Sequence, residues 1–162
     1  MTMNKHAVHQ LILEKLTVDL DIAQRAAQTA YETATHEENI AENKYDTLGL
    51  EAAYLATGQV RRAEAIRQAM AKWRQFRPNP YDASKGIQLG ALVCLVDSGD
   101  KQQQLFLGPD GGSMQLGSGT QLVQVISMEA PLGRAMLGKC EGDEVSIQVA
   151  PFRQQFEVLQ VR

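Results

Sequence analysis

Hydrophobic positions in the first half of the chain recur with helical spacing. Leu13, Leu16, Leu20, Ala23, Ala27, Ala30 and Ala34 step by three and four without a break, the a/d seam of three heptads narrowing from Leu to Ala. Such a stripe needs a partner helix. Ala41, Tyr45, Leu48, Ala52 and Leu55 supply one, and Val60, Ala63, Ile66, Met70 and Trp73 continue it after a phase slip near Gly58, which is expected to change the supercoil locally. Thr35 and Glu38 form a Thr-x-x-Glu capping box, a start signal for the second helix. The spacing therefore predicts two helices joined by a short turn near residues 33–40, each about 30 residues or roughly 45 Å long at 1.5 Å per residue. Two helices cannot enclose a core, so a projecting antiparallel coiled-coil hairpin is expected rather than a compact bundle.

The second half follows a different rhythm. Gly86–Val96 is apolar enough for a central strand, Gln104–Leu107 and Thr120–Ser127 are shorter strand candidates, and Asp143–Val149 alternates with Val145, Ile147 and Val149 on one face. Gln155–Val161 is the last strand candidate, Leu132–Leu137 follows Pro131 as a short helix, and Gly108-Pro109-Asp110-Gly111-Gly112 has turn chemistry. Residues 1–77 hold no Pro and only Gly49 and Gly58, whereas all five Pro and the other eleven Gly lie beyond. The change falls at Arg77-Pro78-Asn79-Pro80, where the prolines remove backbone donors and disfavour helix in the residue before each. This places a domain boundary there, with a hairpin over residues 1–77 and a small sheet domain over 78–162, an α+β architecture.

Charge sharpens the picture. The 162 residues carry 16 Lys+Arg and 19 Asp+Glu, a net charge of −3, too acidic for a general nucleic-acid coat. The charges are nevertheless segregated. Glu32, Glu37, Glu38, Glu42, Asp46 and Glu51 face only Lys44, a balance of −5, while Arg61, Arg62, Arg67, Lys72, Arg74 and Arg77 face only Glu64, a balance of +5. In a hairpin the acids gather at the tip and the bases near its base. Crowded carboxylates suit a hard cation such as Mg²⁺, and a solvated helix end is the simpler reading of the same run. The basic run, with Arg61, Arg62, Arg67 and Arg74 as its patch, leaves nucleic acid, an acidic protein surface and plain solubility open. No run of about 18 apolar residues suggests a membrane span, no apolar leader follows Met1, and Cys94 and Cys140 suit reduced thiols, so a cytoplasmic location is expected.

Other chemistry is largely excluded. His6, His9 and His36 with two distant cysteines have no zinc spacing. There is no Gly-x-Ser-x-Gly elbow, and Gly117-Ser118-Gly119 lacks the glycine and helix of a phosphate loop. No residue is marked as catalytic.

The run Ala130-Pro131-Leu132-Gly133-Arg134-Ala135-Met136-Leu137-Gly138-Lys139-Cys140-Glu141-Gly142-Asp143-Glu144-Val145 resembles the C-terminal signature of the bacterial GreA/GreB transcript-cleavage factors, with Ala130 in place of a leading Ser. Glu42-Asn43 aligns with that family's tip Glu-Asn pair, and Gly58 and Glu64 then fall on family positions. The resemblance implies an FKBP-like sheet domain that docks on RNA polymerase beside its secondary channel, making Pro131, Leu132, Arg134, Lys139 and Asp143 docking candidates. It further implies a hairpin that enters the channel, with Glu37, Glu38, Asn39, Glu42 and Asp46 as tip candidates facing Mg²⁺ held jointly with the polymerase. No metal of its own, no sequence-specific DNA contact and a monomer are expected.

Asn39 stands where the family's Asp-x-x-Glu-Asn pattern has its Asp, and an amide binds divalent metal less strongly. The reading is a polymerase-binding regulator rather than an independent enzyme. Its first alternative is an active cleavage factor using Glu42 with Glu38 or Glu37. An FKBP-like prolyl isomerase is a remote alternative, because Tyr81, Phe106, Phe152 and Phe156 are few aromatics for an apolar pocket. A coiled-coil adaptor unconnected with polymerase is the last.

Overall fold

The computed structural model of the chain describes residues 4–40, 48–110 and 114–162. Contacts divide it into two compact units, residues 1–12 with 72–162, and residues 13–71. Two long helices, α1 (Lys5–Ile40) and α2 (Leu48–Gln75), form a helical hairpin and precede a mixed sheet.

Residues 13–71 contain most of the hairpin. Every member of the expected α1 seam from Leu13 to Ala34 is buried or half-buried, with Leu16, Ala23 and Ala34 the most enclosed. Two expectations fail. The capping box at Thr35 and Glu38 starts nothing: both lie within α1, which runs on to Ile40. A Thr-x-x-Glu pair offers capping groups but does not break a helix, and no Pro or Gly lies between residues 33 and 40 to do so. The phase slip at Gly58 is also absent. The buried stripe of α2 runs through Ala52, Ala56, Gln59, Ala63, Ile66 and Met70, an unbroken alternation of four and three. Leu55 and Val60 are 62% and 56% exposed. A seam that opposes alanines brings the backbones close together, so small Ala56 fits where a larger side chain does not.

In the other unit, Asn4 caps the start of α1, its Oδ1 accepting the Ala7 N–H at 2.8 Å. The last carbonyls of α2 lack intrahelical donors. His9 Nε2 donates to the Trp73 carbonyl at 2.6 Å, and Arg77 Nη1 donates to the carbonyls of Arg74 and Phe76. The start of α1 thus closes the end of α2.

The sheet has six strands: β1 (Leu92–Asp97), β2 (Gln102–Gly108), β3 (Met114–Leu116), β4 (Val123–Ser127), β5 (Glu144–Val149) and β6 (Phe152–Val161), in the spatial order β3-β4-β2-β1-β6-β5. Only β2 and β4 pair in parallel. The expected first strand begins six residues late, because Gly86 and Gly90 adopt φ values of +72° and +90° and residues 86–91 run as an irregular segment with a turn at 89–90. Three-residue β3 was not anticipated.

Both faces of the sheet are covered. On one, Val93, Leu95, Leu105, Leu107 and Val158 pack with Met136 of α3 (Pro131–Met136) in the main core. On the other, Phe106 lies 6.1 Å from Trp73 in a stacked arrangement and meets Phe76 edge-on at 6.2 Å. Trp73 is 1% exposed, so this face is closed by the helix ends. Gly108 makes the fit possible, since a Cβ there would lie 2.2 Å from the Trp73 ring.

Candidate functional site

Three groups of residues bear on function, and the structure treats them differently. Glu37, Glu38 and Asn39 belong to the last turns of α1, but their side chains lie outside the described residues, as do Glu42 and Asp46 altogether. Among the described residues no group of three or more His, Cys, Asp or Glu could hold a metal.

The signature segment 130–145 is fully described, and much of its pattern has a structural cause. Pro131 occupies the first turn of α3, where a missing N–H costs nothing. Gly133 faces the sheet so closely that a Cβ would lie 2.1 Å from the Ser127 carbonyl oxygen. Gly138 and Gly142 adopt φ values of +79° and +88°, a region L side chains rarely occupy. Asp143 Oδ2 accepts the Cys140 N–H at 2.8 Å, while its own carbonyl accepts the Val158 N–H at 2.9 Å. The turn is bound on its other side by Ile87, whose N–H and C=O pair with the Lys139 carbonyl and the Gly138 N–H, both at 2.8 Å. Gly86 permits that approach, since a Cβ there would meet the Gly138 oxygen at 2.4 Å. In the sequence the only sign of this role is a glycine directly before an isoleucine, Gly86-Ile87.

The docking candidates therefore separate. Asp143, though exposed, also ties the turn through its Oδ2, and Leu132 packs against the core. Pro131 and Arg134 are exposed, Lys139 is half-buried, and neither Arg134 nor Lys139 forms an ion pair with a described residue. Beside them is an acidic corner. Burial first, then the nearby Cys140, Glu141, Asp82 and Asp143, push the Tyr81 phenol above its ordinary pKa. The Ser84 hydroxyl, 2.6 Å away, and the Ser84 N–H hold the Asp82 carboxyl below its ordinary value. The face next to α3 thus carries free cations beside fixed carboxylates, a pattern suited to a polar protein surface.

Arg61, Arg62, Arg67 and Arg74 are all exposed. Arg67 pairs with Glu64 at 3.2 Å one turn away. Arg61 and Arg67 line one groove of the hairpin, Arg62 projects about 100° from Arg61 around the helix, and Arg74 belongs to the other unit. The thiols are separate: Cys94 approaches Gln102 and Cys140 the Ala83 carbonyl, and burial raises the Cys94 pKa. Of the aromatics weighed for an isomerase pocket, Phe106 faces Trp73, Phe156 packs on the core and Phe152 is exposed.

Comparison with known proteins bears on the whole chain. Residues 82–162 match the family described as transcription elongation factor, GreA/GreB, C-term. Transcription elongation factor GreA of Nitratidesulfovibrio vulgaris (strain DP4) is 30% identical over 136 residues, covering 82% of this chain and 76% of that protein. Its counterpart in Syntrophobacter fumaroxidans is 27% identical over 155 residues, covering 92% of both. Among solved structures, GreA factor homolog 1 of Thermus thermophilus aligns over 93% of this chain and 94% of its own, with 19% identity and a TM-score of 0.38.

Proposed function

The chain belongs to the GreA/GreB family of transcription elongation factors, and from that membership we propose that it binds RNA polymerase and works through the secondary channel, modulating transcription without cleaving RNA. The observation that carries the reading is the family match over residues 82–162, the domain that holds α3 and its signature turn. Exposed Pro131, Arg134 and Asp143, with half-buried Lys139, offer that signature's contact to a polymerase, while Leu132 packs beneath and Asp143 also ties the turn. Contact of the Arg61–Arg74 region with nascent RNA belongs to the same reading.

The hairpin brings the tip. Its helices of 36 and 28 residues flank a segment containing Glu42 and Asp46, and Glu37 and Glu38 lie just before it. These carboxylates are hard oxygen donors of the kind Mg²⁺ accepts, but Asn39 replaces one potential anion with an amide. The chain performs no chemical step of its own in this reading. Any metal is held chiefly by the polymerase, and the tip adds charge and bulk at its site.

A backtracked elongation complex with purified core polymerase and Mg²⁺ tests the proposal. The expected result is co-purification with core polymerase and a changed elongation or initiation rate with full-length transcripts preserved. Rapid shortening of the transcript sinks the non-cleaving reading, and failure to bind core polymerase sinks the whole. Glu42→Ala is expected to abolish the effect while leaving binding intact; an unaltered effect removes the tip from the mechanism.

A further inference from the structure

A cavity that the reading above does not use lies where the first turn of α1 meets the end of β6. It measures about 270 Å³; Lys5, His6 and Arg162 line it with polar groups, and Pro78, Pro80 and Leu92 wall it with apolar surface. No acidic side chain lines it, and none of Lys5, His6 and Arg162 lies within ion-pair distance of a carboxylate among the described residues. Arg162 is held in place by Leu92, whose carbonyl and N–H pair with its N–H and carbonyl, both at 2.9 Å. Its Nε is buried and has no hydrogen-bond partner among the described residues, a costly state for a charged donor. Lys5 is half-buried and gives one proton to the Asn79 carbonyl, which leaves two to donate, and burial lowers its pKa. Of the N–H groups that open α1, Asn4 accepts those of Ala7 and Val8. Those of Lys5 and His6 remain, at the positive end of the helix dipole.

We propose that this cavity binds a small phosphate monoester, its phosphate held by Lys5, Arg162 and the first N–H groups of α1, its organic body against Pro78, Pro80 and Leu92. Charge selects the phosphate. Two cations without a carboxylate partner match the nearly two negative charges of a monoester at pH 7, whereas a carboxylate neutralises one and leaves the other unmet. The donors agree. The buried Arg162 Nε and the open N–H groups of α1 belong to unlike elements far apart in sequence, yet their residues line one cavity. Each lacks an acceptor, which is what a phosphate oxygen supplies. The walls select an ester over the bare ion, because two prolines and a leucine gain from covering a carbon body and offer inorganic phosphate nothing. A nucleic-acid strand is a poorer occupant: it needs a row of cations for its phosphates, and here two converge on a single group. The adjoining cavity, which shares Lys5 and Pro80, is lined by Asp82, whose carboxylate repels an anion.

The test titrates the full chain with phenyl phosphate and follows the backbone amides of Lys5 and His6 and the Arg162 Nε–H by NMR. These three resonances are expected to shift together. Phenyl phosphate is expected to bind about tenfold tighter than inorganic phosphate, which lacks the body, and than benzoate, which lacks the second charge. The unfolding temperature should rise with phenyl phosphate and not with chloride at equal ionic strength. Arg162→Gln and Lys5→Gln should each weaken binding about tenfold, and Arg162→Gln, which removes an unpartnered donor, should fold as stably as the parent. Absence of shifts at millimolar phenyl phosphate, shifts elsewhere, equal affinity for inorganic phosphate or benzoate, or undiminished binding by both variants overturns the proposal. Tighter binding of an oligouridylate assigns the cavity to RNA, and tighter binding of a peptide bearing phosphotyrosine assigns it to a phosphoprotein; either result also overturns the proposal.

Discussion

Gly133→Ala sets two effects of opposite sign against each other. Alanine is the better helix former by about 1 kcal/mol in a helix interior, and Gly133 is not among the positive-φ glycines, so local propensity favours the substitution. Packing opposes it. The new Cβ would lie 2.1 Å from the Ser127 oxygen, with the Leu107 Cδ1 at 3.3 Å. An ordinary contact requires α3 to retreat by about 1 Å, and a gap of that size forfeits a quarter to a half of each dispersion contact it opens. Met136, fully buried on the same helix, contributes about 1.5–3 kcal/mol by its burial, and Leu132 adds to the loss. Because α3 has only six residues, the propensity gain is at the low end. The net expectation is destabilisation by about 1–3 kcal/mol, the usual range for overpacking. Urea unfolding followed by Trp73 fluorescence reads it, since Trp73 belongs to the sheet unit. A midpoint at or above that of the parent protein, with unchanged slope, refutes the reasoning.

Gly108→Ala tests the other face of the sheet: its Cβ meets the Trp73 ring, so a red-shifted tryptophan emission and a loss of about 1–3 kcal/mol are expected. Thermal unfolding of two neighbouring variants tests the seam: Leu55→Glu should stay within about 0.5 kcal/mol, whereas Ala56→Glu should cost about 2 kcal/mol or more by placing a charge between the helices. If Leu55→Glu is the damaging one, the seam runs in the other phase. Ser84→Ala removes the hydroxyl that favours ionised Asp82, so a carboxyl NMR titration should show that pKa rising toward its ordinary value. Because the folded pKa is lowered, this contribution to stability is present above the unfolded value and lost as pH falls through the folded one. An unmoved titration removes Ser84 as the cause.

The α1 seam was legible because Leu and Ala at heptad spacing leave one consistent stripe. On α2 the same logic chose the wrong neighbours: Leu55 and Val60 are more hydrophobic than Ala56 and Gln59, but backbone proximity, which a linear pattern does not carry, decided for the smaller pair. The capping box misled because capping groups mark a helix start only where the chain turns. Five strands were legible from apolar runs, and β3 was too short to show a period. Trp73 was readable as a seam residue; its second role, closing a sheet face against Phe106, depends on a long-range meeting through Gly108. The signature run 130–145 identified the family, yet only geometry separates glycines and an aspartate that shape the turn from the arginine and lysine left free. The acidic positions chosen for the tip fall outside the described side chains, so their part in function rests on sequence.

The narrowing of the α1 seam grades the hairpin's dynamics. Leu13, Leu16 and Leu20 hold α1 to its partner with far more apolar area than Ala23, Ala27, Ala30 and Ala34, whereas alanine is the residue that best sustains an isolated helix. Cohesion between the helices and persistence of each helix therefore vary in opposite directions along the seam. Separation should begin in the alanine-lined turns and proceed without melting either helix, leaving the leucine-lined turns zipped. Amide exchange would then stay slow while inter-helix distances fluctuate between the leucine-lined turns and the segment that joins the two helices.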